Sequence, residues 1–398
     1  MVQIKLDGAY CMKRILIFSL LFYVVLGLSV YGQKVSFSPQ EGFDFFVTVR
    51  GDGTADKIIY VATENSTRDS IVCVDAHSGR TIWSEKTPIG TVDVGPVVVG
   101  STVVYMGDGS YSTAYGLDAF TGHRKWTAHH KSSFLMPGAG QVYLNDYNGV
   151  LAIDADSGKV TWTYEPGGSG SIDRMILHQG KLYTDRYVVD AQNGKLIQKL
   201  SVSQPRSFAA SADSVFYATN DGTLVALNAA SGKTLWTTPI NKPYKPVQLA
   251  ANRSYLAGAF YDGYAFAAHN GILMVLDASK GSVLWQKTIT SQRNLLPNPI
   301  GLDGRNVFLL RPGDQDRAVR LVALDQATGE SHWSVDIADT LSGPPAIVGG
   351  EVYLSNDQGT IYVFNSETGQ IARKLMIVSQ GPSAAMEAIK RLQRQESR

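Results

Sequence analysis

The chain has 398 residues, and 36 Lys and Arg against 35 Asp and Glu give it a net charge of +1. This balance excludes the basic surface typical of nucleic-acid-binding domains, so we expect no nucleic-acid partner. Hydrophobic residues make up 44% and charged residues 18%, which excludes extensive disorder, and two cysteines are too few for a disulfide framework.

Residues 1–32 have the features of a signal peptide. Two basic residues after Met12, itself a possible true start, precede an apolar run over 15–30. The small residue Gly32 suits cleavage directly after it. Because the run is shorter than the roughly 20 residues of a spanning helix, we expect cleavage, export and no transmembrane span in the mature chain. An uncleaved membrane anchor is the alternative.

After the signal peptide, one short pattern recurs eight times: Asp or Asn, three residues, then Gly. The copies span residues 75–79, 118–122, 154–158, 190–194, 228–232, 277–281, 325–329 and 365–369. Their glycines recur every 36 to 49 residues, close to the period of roughly 40–50 residues in propeller blades. A repeat architecture is therefore predicted.

Each copy predicts a tight turn between two strands. The Asp or Asn side chain can accept hydrogen bonds from backbone N–H groups just downstream, and Gly supplies a positive φ. A second hairpin, as at 352–364, and a further strand precede each turn. The sequence thus predicts an all-β fold, an eight-bladed β-propeller of four-stranded antiparallel blades, over residues 33–378. A polar tail follows at 379–398, and residues 35–50 are expected to complete the last blade and close the ring.

Every tryptophan of the chain lies four residues after one of these glycines. The six are Trp83, Trp126, Trp162, Trp236, Trp285 and Trp333. This shared register predicts that they pack between neighbouring blades from the outermost strand, as large side chains that bury much apolar surface. Gln198 and Arg373 are expected in the equivalent places of the fourth and eighth blades.

Two segments carry a family resemblance: VLAIDADSGKVTW at 150–162 and LVALNAASGKTLW at 224–236. They resemble the pyrroloquinoline-quinone (PQQ) repeat, and the resemblance extends over nearly the whole chain after the signal peptide. It implies a PQQ-like propeller related to PQQ-dependent alcohol dehydrogenases and to non-enzymatic relatives. Among the latter, the outer-membrane protein assembly factors of the BamB type are the most similar in size and blade number. Fold alone does not decide between these functions.

Resemblance to the dehydrogenases would imply a quinone site with a vicinal disulfide, a carboxylate-bound calcium ion and a catalytic Asp. The sequence has no adjacent cysteines and is shorter than those enzymes. We therefore expect no enzymatic activity, with no catalytic, cofactor-binding or metal-binding residues. A PQQ-dependent quinoprotein dehydrogenase and an extracellular ligand-binding propeller are the alternatives.

The connections between blades supply candidate partner-binding residues. Four successive connections each carry a cation at a similar distance after the Trp position, and two of them add an aromatic or aliphatic residue. The candidates are Arg174, Arg206, Tyr244, Lys245, Arg293 and Leu295. Similar spacing predicts a basic arc with apolar neighbours, a composition found in protein-binding hot spots. The alternative is a set of ordinary solvated loop cations.

These features together predict an exported, non-enzymatic scaffold that binds protein partners in the cell envelope. The resemblance to BamB implies a role in outer-membrane protein assembly. We expect a monomeric propeller in the periplasm or outside the cell, with any membrane association made through a partner.

Overall fold

The computed structural model describes residues 45–51, 53–65, 68–88, 92–107, 113–146, 149–167, 172, 174–200, 205–240, 245–261, 270–290, 300–313, 319–337, 341–356 and 360–376. The regular structure within these residues is β-strand throughout. This part of the chain contains no helix of the length and hydropathy needed to cross a membrane.

Blades 1 to 4 consist of β1 (Phe45–Val49), β2 (Ala55–Asn65), β3 (Arg68–Asp75), β4 (Thr81–Lys86), β5 (Val92–Val99), β6 (Thr102–Gly107), β7 (Thr113–Asp118), β8 (Arg124–His129), β9 (Leu135–Pro137), β10 (Gln141–Asp146), β11 (Gly149–Asp154), β12 (Val160–Tyr164), β13 (Met175–His178), β14 (Lys181–Thr184), β15 (Tyr187–Asp190) and β16 (Leu196–Lys199).

Blades 5 to 8 consist of β17 (Pro205–Ser211), β18 (Ser214–Thr219), β19 (Thr223–Asn228), β20 (Thr234–Pro239), β21 (Lys245–Ala251), β22 (Tyr255–Tyr261), β23 (Asn270–Asp277), β24 (Val283–Thr290), β25 (Ile300–Leu302), β26 (Asn306–Pro312), β27 (Val319–Asp325), β28 (Ser331–Ile337), β29 (Leu341–Val348), β30 (Glu351–Asn356), β31 (Thr360–Asn365) and β32 (Ile371–Met376).

Each blade is a four-stranded sheet whose strands pair in chain order, and all the pairings are antiparallel, as in blade 1. The first strands of adjacent blades contact each other around the whole ring, and β29 contacts β1. The first strands therefore surround the central axis, and the fourth strands form the outer rim. The predicted eight-bladed propeller is confirmed.

The ring closes differently from the expectation. β1 pairs with β2, with Phe45 opposite Tyr60, so it is the first strand of blade 1. Blade 8 takes all four of its strands from residues 341–376. The prediction that residues 35–50 complete the last blade is therefore wrong, because a local hairpin closes a much shorter loop than a return to the far end of the chain. Residues 1–44 and 377–398, with the predicted signal peptide and tail, lie outside the described residues.

The recurring turn has the predicted chemistry in blade 1. Asp75 Oδ1 accepts hydrogen bonds from the Ser78 backbone N–H (2.7 Å) and hydroxyl (2.7 Å), and the Gly79 N–H donates to the Asp75 carbonyl at 2.9 Å. The last residue of all eight turns is a glycine with φ between +67° and +75°. An L-residue is strained in this region, which explains why Gly ends every copy.

We expect Asp75→Ala to lower the free energy of unfolding by about 1 kcal/mol, because the His77 N–H, the Ser78 N–H and the Ser78 hydroxyl lose their acceptor. Asp75→Asn is the matched control, since Asn228 accepts the same bonds from the Ser231 N–H and hydroxyl. The Ser78 bonds hold the pKa of Asp75 below its ordinary value. The carboxylate therefore stabilises the fold at neutral pH and loses this effect as the pH falls through its folded pKa. Urea unfolding of the three proteins at several pH values tests both points, and equal stability of the Ala and Asn variants would contradict them.

Within the described ranges, the buried apolar side chains form eight clusters, and each cluster belongs to two adjacent blades. In the cluster that closes the ring, Phe45 and Val72 of blade 1 pack with Tyr353 and Leu375 of blade 8. Because burial of apolar surface is the main stabilising term of folding, apolar contacts between adjacent blades contribute most to the stability of the ring.

Each tryptophan side chain crosses one of these interfaces. Its indole N–H donates to a backbone carbonyl of the next blade. The pairs are Trp83 with Ala119 (3.0 Å), Trp126 with Ala155 (2.8 Å), Trp162 with Ala191 (3.2 Å), Trp236 with Ala278 (3.0 Å), Trp285 with Gln326 (2.9 Å) and Trp333 with Ser366 (3.1 Å). Each indole also covers the turn glycine of that next blade. A Cβ atom on Gly158, for example, would lie 2.5 Å from the Trp126 ring.

Blade 4 replaces its tryptophan by Gln198. Gln198 lies opposite Val188, in the register that Trp236 has opposite Ala226. Its side-chain amide donates to the Gly232 carbonyl of blade 5 at 3.3 Å. At the six interfaces that have a tryptophan, the carbonyl at the equivalent position accepts a hydrogen bond from an indole N–H. Here this carbonyl, Ala229 O, accepts from the Tyr183 hydroxyl at 2.7 Å.

Blade 8 departs further. Arg373 occupies the same register, opposite Val363, but its guanidinium donates to Glu351 of its own blade at 2.7 Å. The turn glycine of blade 1, Gly79, is covered by Leu375. The interface between blades 8 and 1 therefore has the same strand register as the other interfaces but different side-chain contacts.

Candidate functional site

The two ends of the ring differ in their connections. In a four-stranded antiparallel blade, the link from the fourth strand to the next blade leaves from the same end as the loop between the second and third strands. We call this end the connection face. The opposite end, the turn face, carries the eight repeated turns and the hairpins between first and second strands.

Arg206 is held at the connection face of blade 5. It is the second residue of β17, at a shift of register between Pro205 and Ser207. Its Nε atom donates to Asn220 Oδ1 at 2.7 Å, and Asn220 directly follows β18. The half-buried guanidinium is thus oriented by the loop of its own blade. A charge-assisted bond of this kind is stronger than a neutral one.

Arg174 directly precedes β13 in blade 4 and is half-buried. Its neighbours Ile172 and Met175 are each 1% exposed and pack into the core between blades 3 and 4. The first strands β13 and β17 contact each other. Arg174 and Arg206 therefore belong to adjacent blades at the same face.

The other predicted partner-binding residues are described only in part. The backbone of Lys245 begins β21 and pairs with Tyr261. Tyr244, Arg293 and Leu295 lie outside the described residues. The three described cations occupy different positions along the first strands of their blades. Arg174 precedes its strand, Arg206 lies within its strand, and Lys245 is the first residue of its strand. The arc as a whole stays a prediction.

Residues in and beside the loops between second and third strands add charges at this face that the sequence analysis missed. In blade 4, Arg186 Nε lies 3.9 Å from Asp185 Oδ2. In blade 7, Arg320 donates twice to Asp336, at 2.6 Å each, and these bonds hold the pKa of that carboxyl below its ordinary value. The sequence alone could have placed these charges at the connection face, because the loops between second and third strands must lie at the same end of each blade as the interblade connections.

Polar contacts between first strands position blades 5 to 7 around the axis. The Leu249 N–H donates to the Ser207 hydroxyl at 3.0 Å. Gln248 accepts from the Ile300 N–H at 3.0 Å and donates to the Ile300 carbonyl at 3.1 Å. These bonds fix the relative height of neighbouring blades close to the first residues of β17 and β21, where Arg206 and Lys245 lie.

The described residues offer little reactive chemistry. Cys73 is buried between blades 1 and 2, and burial raises the pKa of its thiol to about 12, so it is not a thiolate nucleophile at neutral pH. No group of three or more His, Cys, Asp or Glu side chains in the described ranges is placed to hold a metal ion.

Eight sequential four-stranded blades and tryptophans that bridge them from one register define a β-propeller of the PQQ-repeat class. The family model described as outer membrane protein assembly factor BamB matches residues 46–175, 138–296 and 275–374. The chain belongs to this family.

Individual relatives are more distant. The chain is similar to the quinohemoprotein alcohol dehydrogenase ADH IIB of Pseudomonas putida, with 30% identity over 111 residues, 28% of this chain and 13% of that enzyme. It thus spans only a small part of this curated relative. Among solved structures, it is similar to the computationally designed Ika8 protein (TM-score 0.59, 14% identity, 85% of this chain and 98% of that one). It is also similar to ADHIIG of Pseudomonas putida HK5 (TM-score 0.53, 15% identity, 83% and 71%). Both structures share the fold.

Proposed function

We propose that this protein is an exported, non-enzymatic scaffold that binds protein partners in the cell envelope during outer-membrane protein assembly. The observation that carries the proposal is the BamB family match, which extends from residue 46 to residue 374 and so includes all eight blades. A scaffold needs a rigid framework that presents binding residues. The interblade tryptophans and the first-strand contacts supply such a framework.

We assign partner binding to the connection face. Arg174 and Arg206 lie there on adjacent blades, and Lys245 begins the first strand of the next blade. With Tyr244, Arg293 and Leu295 they would form a basic arc that attracts a carboxylate-bearing segment of a partner. Arginine held by a bond to its own blade, as Arg206 is by Asn220, loses less side-chain entropy on binding.

A quinoprotein dehydrogenase is the second candidate, because the local identity to the Pseudomonas putida enzyme reaches 30%. Against it stands the sequence itself, which has no adjacent cysteines. Purified protein incubated with PQQ and calcium separates the two candidates. A rate of dye-linked alcohol oxidation above that of a heat-killed sample would favour the dehydrogenase if a calcium chelator abolishes it.

For the scaffold, we expect the double variant Arg206→Glu and Arg293→Glu to weaken capture of envelope proteins by about tenfold or more, or about 1.4 kcal/mol. The tagged chain is used to capture partners from envelope extracts. Mass spectrometry then identifies and quantifies the captured proteins. Components of outer-membrane protein assembly are the expected partners.

The matched control carries the same charge change on the turn face, Arg80→Glu and Arg124→Glu, where both side chains are exposed. It should capture partners as the unchanged protein does. Equal capture by both double variants, at unchanged melting temperatures, would contradict the proposed face.

A further inference from the structure

The outer rim of blades 4 to 6 exposes aliphatic side chains on three consecutive fourth strands. The exposed fractions are 51% for Leu196, 46% for Ile197, 50% for Leu235, 43% for Val283 and 43% for Leu284. Scattered exposed aliphatic residues are common on proteins, but a contiguous group of them marks an interaction surface.

Lysines accompany these aliphatic residues on each strand or on the turn that leads into it. They are Lys195, Lys199, Lys233, Lys280 and Lys287, and all are exposed. Segments 195–199, 233–239 and 280–290 contain no Asp or Glu. Lys280 Nζ lies 3.8 Å from Asp277 Oδ2, and the other four lysines form no salt bridge with any residue in the described ranges. We call these five lysines and five aliphatic residues the lysine–aliphatic rim.

Interblade contacts join the three blades that carry this rim. The Gln198 amide donates to the carbonyl of Gly232, the residue directly before Lys233, so the outer strand of blade 4 lies against the turn that leads into the outer strand of blade 5. The Trp236 ring covers Gly281, which lies directly after Lys280 and two residues before Val283. The outer strands of three consecutive blades thus each add aliphatic and cationic side chains to the same edge of the propeller.

The composition of the rim favours a lipid surface over a protein partner. Protein interfaces are enriched in Tyr, Trp and Arg and depleted in Lys. The three segments contain no Tyr or Arg, and their tryptophans, Trp236 and Trp285, donate to the next blade. Aliphatic side chains among lysines suit the boundary of an anionic bilayer, where the apolar groups insert and the ammonium groups meet lipid phosphates.

We propose that the lysine–aliphatic rim docks the propeller edge-on against an anionic lipid bilayer. In this orientation the central axis is parallel to the membrane plane. The connection face is then perpendicular to the bilayer and stays accessible from the side. The inference goes beyond the proposed scaffold function, and it is independent of which partner the connection face binds.

Vesicle co-sedimentation of the full chain tests the proposal, with phosphatidylcholine vesicles prepared with or without phosphatidylglycerol. The rim variant is Lys233→Glu with Leu235→Ser. Residues 79–83 (GRTIW) and 232–236 (GKTLW) correspond position by position, so Arg80→Glu with Ile82→Ser in blade 1 is the matched control. Both variants keep the apolar run at 15–30, so its own affinity for lipid is common to all three proteins.

We expect the rim variant to bind phosphatidylglycerol vesicles about tenfold more weakly than the unchanged protein, and the control to bind within about twofold. The difference should shrink at high salt and be small on pure phosphatidylcholine. Equal binding by the rim variant and the unchanged protein, or an equal loss in both variants, would overturn the proposal. Since the altered side chains are exposed, melting temperatures of all three proteins should agree. If the rim variant melts lower, Lys199→Glu with Lys287→Glu replaces it under the same criteria.

Discussion

Trp126→Ala is expected to lower the free energy of unfolding by about 3–5 kcal/mol, the usual cost of truncating a large buried aromatic side chain. Trp126 is 9% exposed, and its indole N–H donates to Ala155 O at 2.8 Å. Its ring fills the space above Gly158 in the next blade. Truncation would leave a cavity between blades 2 and 3 and leave the Ala155 carbonyl without its donor.

Chemical denaturation followed by circular dichroism measures this effect. Trp126→Phe keeps much of the apolar contact but removes the N–H donor, so it should cost less than the alanine variant. Phe120→Ala is the control, because Phe120 is 50% exposed and a surface truncation should change stability by about 0.5 kcal/mol or less. An unchanged midpoint for Trp126→Ala would show that the tryptophan does not dock the blades.

The turns and the blade number could be predicted because their determinants are local. The acceptor Asp75, the donor Ser78 and the positive-φ residue Gly79 lie within five positions of one another. Eight copies of such a unit leave the chain few arrangements other than a ring or a stack of repeats. The period and the tryptophan register then select the propeller.

Ring closure could not be predicted in the same way. It depends on which segment supplies the first strand of blade 1, and β1 could in principle pair at either end of the chain. It also depends on Leu375 reaching Gly79, two residues from opposite ends of the described chain. Nothing in the register of Arg373 indicates that its guanidinium faces Glu351 of its own blade rather than the neighbouring turn.

The candidate site was predictable only at the level of a face. Antiparallel order within each blade places all the connections at one end, which follows from the repeat. The position of each cation along its first strand does not, because it depends on local shifts of register such as the one between Pro205 and Ser207. Loop partners such as Asn220 for Arg206 depend on the folded blade.

The interface that closes the ring has an ion pair, whereas six of the other seven interfaces have an indole, and this ion pair gives the last prediction. Glu351 accepts from Arg373 at 2.7 Å and from the Tyr353 hydroxyl at 2.5 Å. Glu351→Ala leaves the half-buried Arg373 without its carboxylate partner. We expect a loss of about 2 kcal/mol, below the value for breaking a fully buried pair because both side chains keep some solvent contact.

The pH dependence of this loss has a definite sign. Burial raises the pKa of Glu351, but the bonds from Arg373 and Tyr353 outweigh it and hold the pKa below the ordinary value of 4.5. A carboxyl with a lowered folded pKa stabilises the fold above its unfolded pKa and loses this contribution as the pH falls through the folded value. Besides Arg373 and Tyr353, the titratable group that faces Glu351 is His77 of blade 1, which the unchanged protein and the variant share.

Unfolding free energies of the unchanged protein, Glu351→Ala and the exposed control Glu367→Ala are compared from neutral pH downward. The gap between the first two should be largest near neutral pH and should shrink once the pH falls below about 4.5, while the control stays close to the unchanged protein throughout. A gap that is independent of pH would mean that Glu351 acts by packing alone. No gap at all would mean that Leu375 and its apolar neighbours hold the ring closed without the ion pair.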